Sequence, residues 1–419
     1  MIELADIVRA AGPAYREAAG ARLLPSHRRA LDDIATCRTA ARGGHLRRCD
    51  HCAATQYRYH SCRNRHCPKC HAEQTRRWLT IHRARLLPCP YFLVTFTLPQ
   101  ELRAVTRSHQ RTVYDALLRA AADTVLTIAA DPQHLGARPA ILAVLHTWTQ
   151  DLRYHPHVHI LITGGGLAPD GTRWVPTARP DFLFPGYVLS PVFRGKMCDA
   201  LRRADLLDHL TPETWTRDWV VHLQAAGSGQ RVIEYLGRYV FRIAITNSRL
   251  EGFEQGRVTF RFRDRRTTQL TRRTLSAPQF LARFLQHVLP RGFAKVRHYG
   301  LASPTCRPQL ETARALLPSA LAPPTVSALA LPAVSALALP AVSALGPPTS
   351  SALASPTVSA LALPAVSALG PPTSSAVPDD SGLAAEPPLV AIPDADRCPG
   401  CHVGRLIVVA ILPRTRRPP

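Results

Sequence analysis

Tyr154-His-Pro-His-Val-His-Ile-Leu-Ile-Thr-Gly-Gly-Gly166 places three histidines at alternate positions ahead of a glycine run. It reads as a β-strand, and successive strand residues point to opposite faces. His157 and His159 therefore share a face, while Val158 points the other way, toward a core. With a rise of roughly 3.3 Å per residue, the two imidazoles stand about 6–7 Å apart, close enough to reach one divalent metal. The glycines at 164–166 read as a flexible end to the strand. Further on, Tyr235-Leu-Gly-Arg-Tyr239 spaces two phenols at i and i+4, which puts both on one helix face.

The bulk properties narrow the partner class. The chain has 419 residues, enough for two or three domains, and a formal net charge of +23. Only Lys69, Lys196 and Lys295 are lysines, so arginine supplies nearly all of the positive charge. A GC-rich genome accounts for arginine over lysine but not for the shortage of acids, so the charge points to a polyanion, most simply nucleic acid. No uncharged apolar stretch of about 18 residues, outside a proline-broken tail, could span a membrane. Glu3, Asp6 and Arg9 near the start do not make a secretory leader. The eleven cysteines are then expected as reduced thiols or metal ligands in a bacterial-type cytoplasm.

Taken in order, residues 1–36 read as an amphipathic helical arm. Residues 37–86 read as a zinc-binding, DNA-binding module: Cys49-x-x-Cys52 and Cys67-x-x-Cys70 are two knuckles expected to close together as one four-thiolate zinc site. Cys37, His45, Cys62 and His66 are left for a second zinc. Residues 31–90 carry a net charge of +8, and Arg63, Arg65, Lys69, Arg76 and Arg77 around the second knuckle are the candidate DNA contacts. Tyr57, Tyr59 and Trp78 are available to stack on bases.

Residues 87–316 read as an α+β domain of five mainly antiparallel strands flanked by helices. The expected strands are Tyr91–Thr97, Ala140–Thr147, 155–163, Phe241–Thr246 and Val258–Phe262, with helices across 100–130 and 277–289 and a helix-rich insertion at 187–225. Residues 317–396 read as a disordered linker, because from about 318 to 378 they are near-octapeptide repeats, such as Leu331-Pro-Ala-Val-Ser-Ala-Leu-Ala338, with regular prolines and neither charge nor aromatics. A last knuckle, Cys398-Pro-Gly-Cys401, opens the segment 397–419; Cys306 and His402 are its candidate partners, and an apolar strand-like run, Leu406–Leu412, follows it.

The residue types fit phosphodiester chemistry. A divalent ion on His157 and His159 would neutralise charge on a phosphate, and Mg2+ or Mn2+ suits a site with open positions. His146, on the adjacent strand, is the first choice for third ligand, followed by Gln150, His155 and Glu234. A tyrosine nucleophile would keep the bond energy in a covalent phosphotyrosine, ready for rejoining.

Several stretches together resemble one family. They are Ser61-Cys-Arg-Asn-Arg-His-Cys-Pro-Lys-Cys70, Leu86-Leu-Pro-Cys-Pro-Tyr-Phe-Leu-Val-Thr-Phe-Thr-Leu-Pro99, His146-Thr-Trp148, His155-Pro-His-Val-His159 and Tyr235-Leu-Gly-Arg-Tyr-Val-Phe-Arg-Ile-Ala-Ile-Thr-Asn247. In this order, over residues 30–315, they are similar to the two-tyrosine HUH-endonuclease transposases of the IS-ninety-one type. The resemblance implies an HUH-type sheet and a rolling-circle-type transposase that cleaves and rejoins single-stranded DNA at insertion-sequence ends. It implies His157 and His159 as metal ligands and Tyr235 and Tyr239 as nucleophiles forming a 5′-phosphotyrosine. No G-x-x-x-x-G-K-[ST] occurs in the sequence, so strand separation falls to another protein such as a host helicase. The competing readings are a zinc-dependent DNA-binding regulator without catalysis, and a plasmid relaxase or replication initiator of the same chemistry.

Overall fold

In the computed structural model, residues 2–83, 85–179, 181–227, 232, 243–264, 267–317 and 396–415 are described. The chain starts with two helices, α1 (Leu4–Ala19) and α2 (Pro25–Ala35). A hairpin of β1 (Gly44–Cys49) and β2 (Thr55–Tyr59) follows, and then α3 (Pro68–Arg83), whose first residue is a proline set for the helical φ. Leu4, Ile7 and Val8 recur at helical spacing on α1 and are buried with Leu31 and Ile34 of α2.

The central elements come next: β3 (Tyr91–Thr97), α4 (Arg103–Ser108), α5 (Gln110–Ala130), β4 (Ala140–Trp148) and β5 (Tyr154–Thr163). Short β6 (Gly165–Leu167) and β7 (Trp174–Pro176), α6 (Gly186–Arg202), α7 (Glu213–Thr216) and β8 (Val221–Gly227) follow. After them run β9 (Leu250–Glu254), β10 (Arg257–Arg263), β11 (Leu270–Ser276), α8 (Ala277–Leu285), β12 (Val296–Gly300), α9 (Arg307–Leu316) and β13 (Leu406–Leu412).

The expected α+β class holds: five strands, β12-β4-β5-β3-β8, form one sheet in which all neighbours are antiparallel. Alternation divides it. Phe92, Val94, Phe96, Ile141, Ala143, Leu145, Val158, Ile160 and Ile162 point to one face and are buried there with residues of α5 and α6. Leu142, Val144 and Leu161 point to the other face, where Trp78 and Leu79 of α3, Ala313 of α9 and the isolated Val232 pack on them.

Two members of this sheet differ from the sequence expectation. Residues 243–246 of the expected strand Phe241–Thr246 are irregular, and 241 and 242 lie outside the described residues. The strand at 258–262 exists, but it belongs to a separate sheet, β11-β10-β9. The vacated places are taken by β8 and β12. β8, Val-His-Leu-Gln-Ala-Ala-Gly, lies partly in a stretch whose composition reads helical, and its edge position needs only one neighbour. β12 is a five-residue edge strand, too short to show alternation.

The glycine run is also not a flexible end. Gly165 and Gly166 lie buried in β6; Gly165 holds φ +143, and a Cβ there would sit 2.7 Å from Trp174 Nε1. Only glycine lets the strand turn under the Trp174 ring. Residues 318–395, which hold the repeats, lie outside the described residues. Beyond it, β13 pairs antiparallel with β1, so the last described segment completes a three-stranded sheet, β13-β1-β2.

His27, buried in α2, has its pKa pushed down to about 4 by burial, and Arg107 lowers it further in the same direction. A histidine held neutral contributes stability above the unfolded value near 6.5 that is lost as pH falls toward its folded value. Urea midpoints should therefore drop between pH 7 and 5, and the drop should be smaller in His27→Gln; an equal drop in both proteins would rule His27 out as a source.

Candidate active site and metal centres

The register of the β4–β5 hairpin places His146 directly opposite His157. His159, two residues along β5, projects to the same face, so three imidazoles converge from two strands. Their ligand atoms all lie within 4.8 Å of one another, and the ring centroids are 4.7–5.4 Å apart. His146 and His157 are buried and His159 is half-buried.

The orientation of these rings is set by their neighbours. His157 Nδ1 donates to the His155 carbonyl at 2.7 Å, which leaves Nε2 as the lone-pair nitrogen. His159 Nδ1 lies 3.0 Å from the Thr95 hydroxyl, on the adjoining strand β3. His146 stacks on Trp148, with centroids 4.8 Å apart and planes 26° apart. Two anchored rings and one stacked ring, with nitrogens this close, form a donor set suited to one divalent ion. Of the alternative third ligands, Gln150 Oε1 accepts from the Arg263 amide at 2.9 Å and Glu234 lies outside the described residues. His155 takes a bond from Arg103.

A small pocket beside Trp148 brings Arg65, His66, His287 and Lys295 together with the apolar Leu145, Ile243 and Leu289. Burial pushes Lys295 down to about 7, assisted by Arg65, and burial pushes His287 down to about 3. His287 is thus a neutral spacer between the Thr147 hydroxyl, 3.3 Å away, and the Leu152 carbonyl.

The cysteines group differently from the sequence expectation. Cys49 and Cys52 do not meet Cys67 and Cys70. They stand with Cys398 and Cys401: the Cys401 sulfur lies 3.7 Å from that of Cys49, and the Cys398 sulfur 3.6 Å from that of Cys52. Cys67 and Cys70 stand with Cys37 and Cys62, with the sulfurs of Cys37 and Cys62 each 3.5 Å from Cys70. A tetrahedral zinc with Zn–S of about 2.3 Å separates its sulfurs by about 3.8 Å, so both groups have the right size. Strand pairing explains the exchange: Leu406 of β13 lies opposite Cys49 of β1, which brings the last knuckle beside the first. Gly404 makes the approach possible, because a Cβ there would sit 2.5 Å from Cys49 Sγ.

The remaining expected ligands are elsewhere. His45 packs edge-on against His60, and His66 Nε2 accepts from the Leu289 amide at 3.3 Å. Cys306 and His402 join none of the metal-sized groups among the described residues. A third C-x-x-C followed by a strand-like run was the signal for the exchanged pairing, separated from its partner by the repeats.

The basic candidates also divide. Lys69 forms an ion pair with Glu3 at 2.5 Å, and Arg65, its pKa lowered by burial, donates to the Phe293 carbonyl. Both are therefore engaged in joining the knuckle to its neighbours. Arg63 is exposed, and the side chains of Arg76 and Arg77 lie outside the described residues. Tyr57, 61% exposed, stacks on Tyr59 with centroids 6.2 Å apart. Tyr235 and Tyr239 lie outside the described residues; Val232, three residues before Tyr235, is fully buried among Leu142, Val144 and Leu161 on the histidine-bearing side of the sheet.

Paired cysteine knuckles beside an antiparallel sheet carrying a histidine triad define a metal-binding α+β protein, and the comparisons give the family. Residues 7–98 match the family described as "Transposase zinc-binding domain", and residues 140–309 match that described as "Putative transposase". "Putative transposase y4qJ" of Sinorhizobium fredii (strain NBRC 101917 / NGR234) is 41% identical over 344 residues, covering 77% of this chain and 86% of the relative. The "Transposase for insertion sequence element IS801" of Pseudomonas savastanoi pv. phaseolicola is 31% identical over 299 residues, covering 65% of this chain and 69% of the relative. The chain belongs to the IS-ninety-one type of transposases, with a structural zinc-binding domain. No solved structure gives a significant match. Among the described residues no helix is long and apolar enough to cross a membrane.

The segment matching the zinc-binding family ends at residue 98, so Cys398 and Cys401 lie outside it. Metal analysis tests their part. Wild-type protein should carry two zincs per chain, and Cys401→Ser and Cys49→Ser should each lose the same one. Cys62→Ser should lose the other. Two zincs remaining in Cys401→Ser would contradict the pairing.

Proposed function

We propose that this transposase cleaves and rejoins single-stranded DNA at insertion-sequence ends through a 5′-phosphotyrosine, with His146, His157 and His159 holding the catalytic metal. The convergence of the three imidazoles on one sheet face is the observation that carries the reading. A divalent ion such as Mg2+ or Mn2+, bound there, would neutralise charge developing on the non-bridging phosphate oxygens. The i, i+4 spacing of Tyr235 and Tyr239 in the sequence supports them as a pair of attacking groups.

In the proposed step a tyrosine oxygen loses its proton and attacks phosphorus. The P–O3′ bond breaks, and the leaving oxygen takes up a proton as a free 3′-hydroxyl. A 3′-hydroxyl attacking the phosphotyrosine reverses the sequence and rejoins DNA, so no bond energy is lost. Two tyrosines allow a second strand to be cleaved while the first link persists. His157 and His159 would hold the ion through Nε2, with their rings oriented by the His155 carbonyl and the Thr95 hydroxyl at Nδ1. The two four-cysteine groups are proposed to hold structural zinc, with Arg63, Arg76 and Arg77 left to contact DNA. A host helicase would supply the single strand.

A labelled single-stranded element end incubated with the protein and Mn2+ should give an SDS-resistant adduct that is absent in the Tyr235→Phe, Tyr239→Phe double variant. An adduct from that double variant would sink the nucleophile assignment, and the lack of any wild-type adduct would favour a non-catalytic regulator. Thr95→Val, which frees the His159 ring, should slow adduct formation roughly 10–100-fold with zinc content unchanged; an unaltered rate would show that Thr95 does not orient His159.

A further inference from the structure

A pocket of about 460 Å3 opens at the start of β5, lined by Arg103 and Arg107 of α4, Arg153 of the β4–β5 turn and Arg283 of α8, with Tyr154 and Gln286 beneath. Spacing at i and i+4 puts Arg103 and Arg107 on one helix face. The Arg107 guanidinium lies 5.5 Å over the Tyr154 ring, which holds it at the rim. Among the described residues no acidic side chain lines the pocket. The adjacent Asp151 carboxylate is shared by Arg153 at 2.7 Å and Arg273 at 2.6 Å, and Arg283 donates to the Asp151 carbonyl at 3.2 Å. One carboxylate thus faces a group of guanidiniums, and Arg103 Nε is buried without a hydrogen-bond partner. Like charges gathered around so little acid repel one another, and their planar forks match phosphate oxygens, so the arrangement suits a phosphate ligand.

The pocket also adjoins the triad. Arg103 donates to His155 Nδ1 at 3.5 Å, and the His155 carbonyl accepts from His157 Nδ1 at 2.7 Å. A strand with one phosphate at the triad carries further phosphates along its backbone, and the Arg103–His155–His157 contacts join the pocket to the triad. We propose that this pocket binds backbone phosphates of the single strand flanking the cleaved one. The inference rests on the single-strand reading above and adds a second contact region to it.

The test is binding alone, measured without divalent metal so that no cleavage is needed. The probe is a fluorescent single-stranded oligonucleotide of random sequence, titrated at several salt concentrations. Removing one phosphate-binding guanidinium should lower the slope of log affinity against log salt by about 0.7, so Arg107→Gln, Arg153→Gln together should lower it by about 1.4. Both side chains are exposed, and Arg103→Gln, expected to lower the slope by about 0.7, is the second variant should the pair fail to fold. Unchanged slopes in folded variants overturn the proposal. Inorganic phosphate is the second probe: variants that lose phosphate binding yet keep the oligonucleotide slope would define a small-anion site and also overturn it. Lowered slopes in a protein that forms no adduct would keep the pocket and reject the cleavage reading, whereas unchanged slopes with normal adduct would do the reverse.

Discussion

The pairing of His146 with His157 across β4 and β5 is the constraint on which the site depends. Side chains alternate strictly along a strand, so a slip of one residue would turn His157 and His159 into the apolar core and bring Val158 and Ile160 out. Burial of Val158, Ile160 and Ile162 against α5 therefore fixes the direction of the histidines as firmly as any contact they make themselves. The turn reinforces the register. Leu152 adopts φ +63, uncommon for a side-chain-bearing residue, and is fully buried in the cluster shared with α1 and α8. Asp151, held by Arg153 and Arg273, anchors the same turn.

A second long-range closure organises the zinc-binding end. Cys52 and Cys398 are 346 residues apart, yet β13 lies along β1 and completes a four-cysteine group. Loop-closure entropy grows only with the logarithm of loop length, so a long repeat insertion between the knuckles is a modest obstacle to this pairing. The closure is backed by Arg47, a buried guanidinium that pairs with Asp396 and donates to the Leu406 carbonyl at 2.8 Å. The other group ties the start of α3 to the end of α2. α3 then runs under the histidine-bearing face, where Trp78 and Leu79 pack with Leu142, Val144 and Leu161. The cysteine group of Cys37 and the triad are thereby linked through one helix.

Much of this was legible in the sequence because it is local. Alternation around Val158 gave the shared face of His157 and His159, and the neighbouring apolar run gave β4 with His146 on it. The number and character of the knuckles pointed to zinc. What could not be read was which knuckle meets which, because that follows from the pairing of β13 with β1, a contact between chain segments with no local signature. The same applies to β8 and β12, edge strands whose residues carry little period-two pattern. Gly165 misled for a different reason: a glycine needed for close packing under Trp174 looks the same in a sequence as one needed for freedom. Lys69 and Arg65 likewise read as DNA contacts until Glu3 and the Phe293 carbonyl came beside them.

In the proposed mechanism the three histidines hold one divalent ion, apart from the zinc sites. Mn2+ binding followed by electron paramagnetic resonance on zinc-loaded protein tests it most directly. One Mn2+ should bind per wild-type chain and none in His146→Ala, His157→Ala, with both zincs retained in the variant. Mn2+ bound equally well after loss of the two imidazoles, or no Mn2+ bound to the wild type, would contradict it.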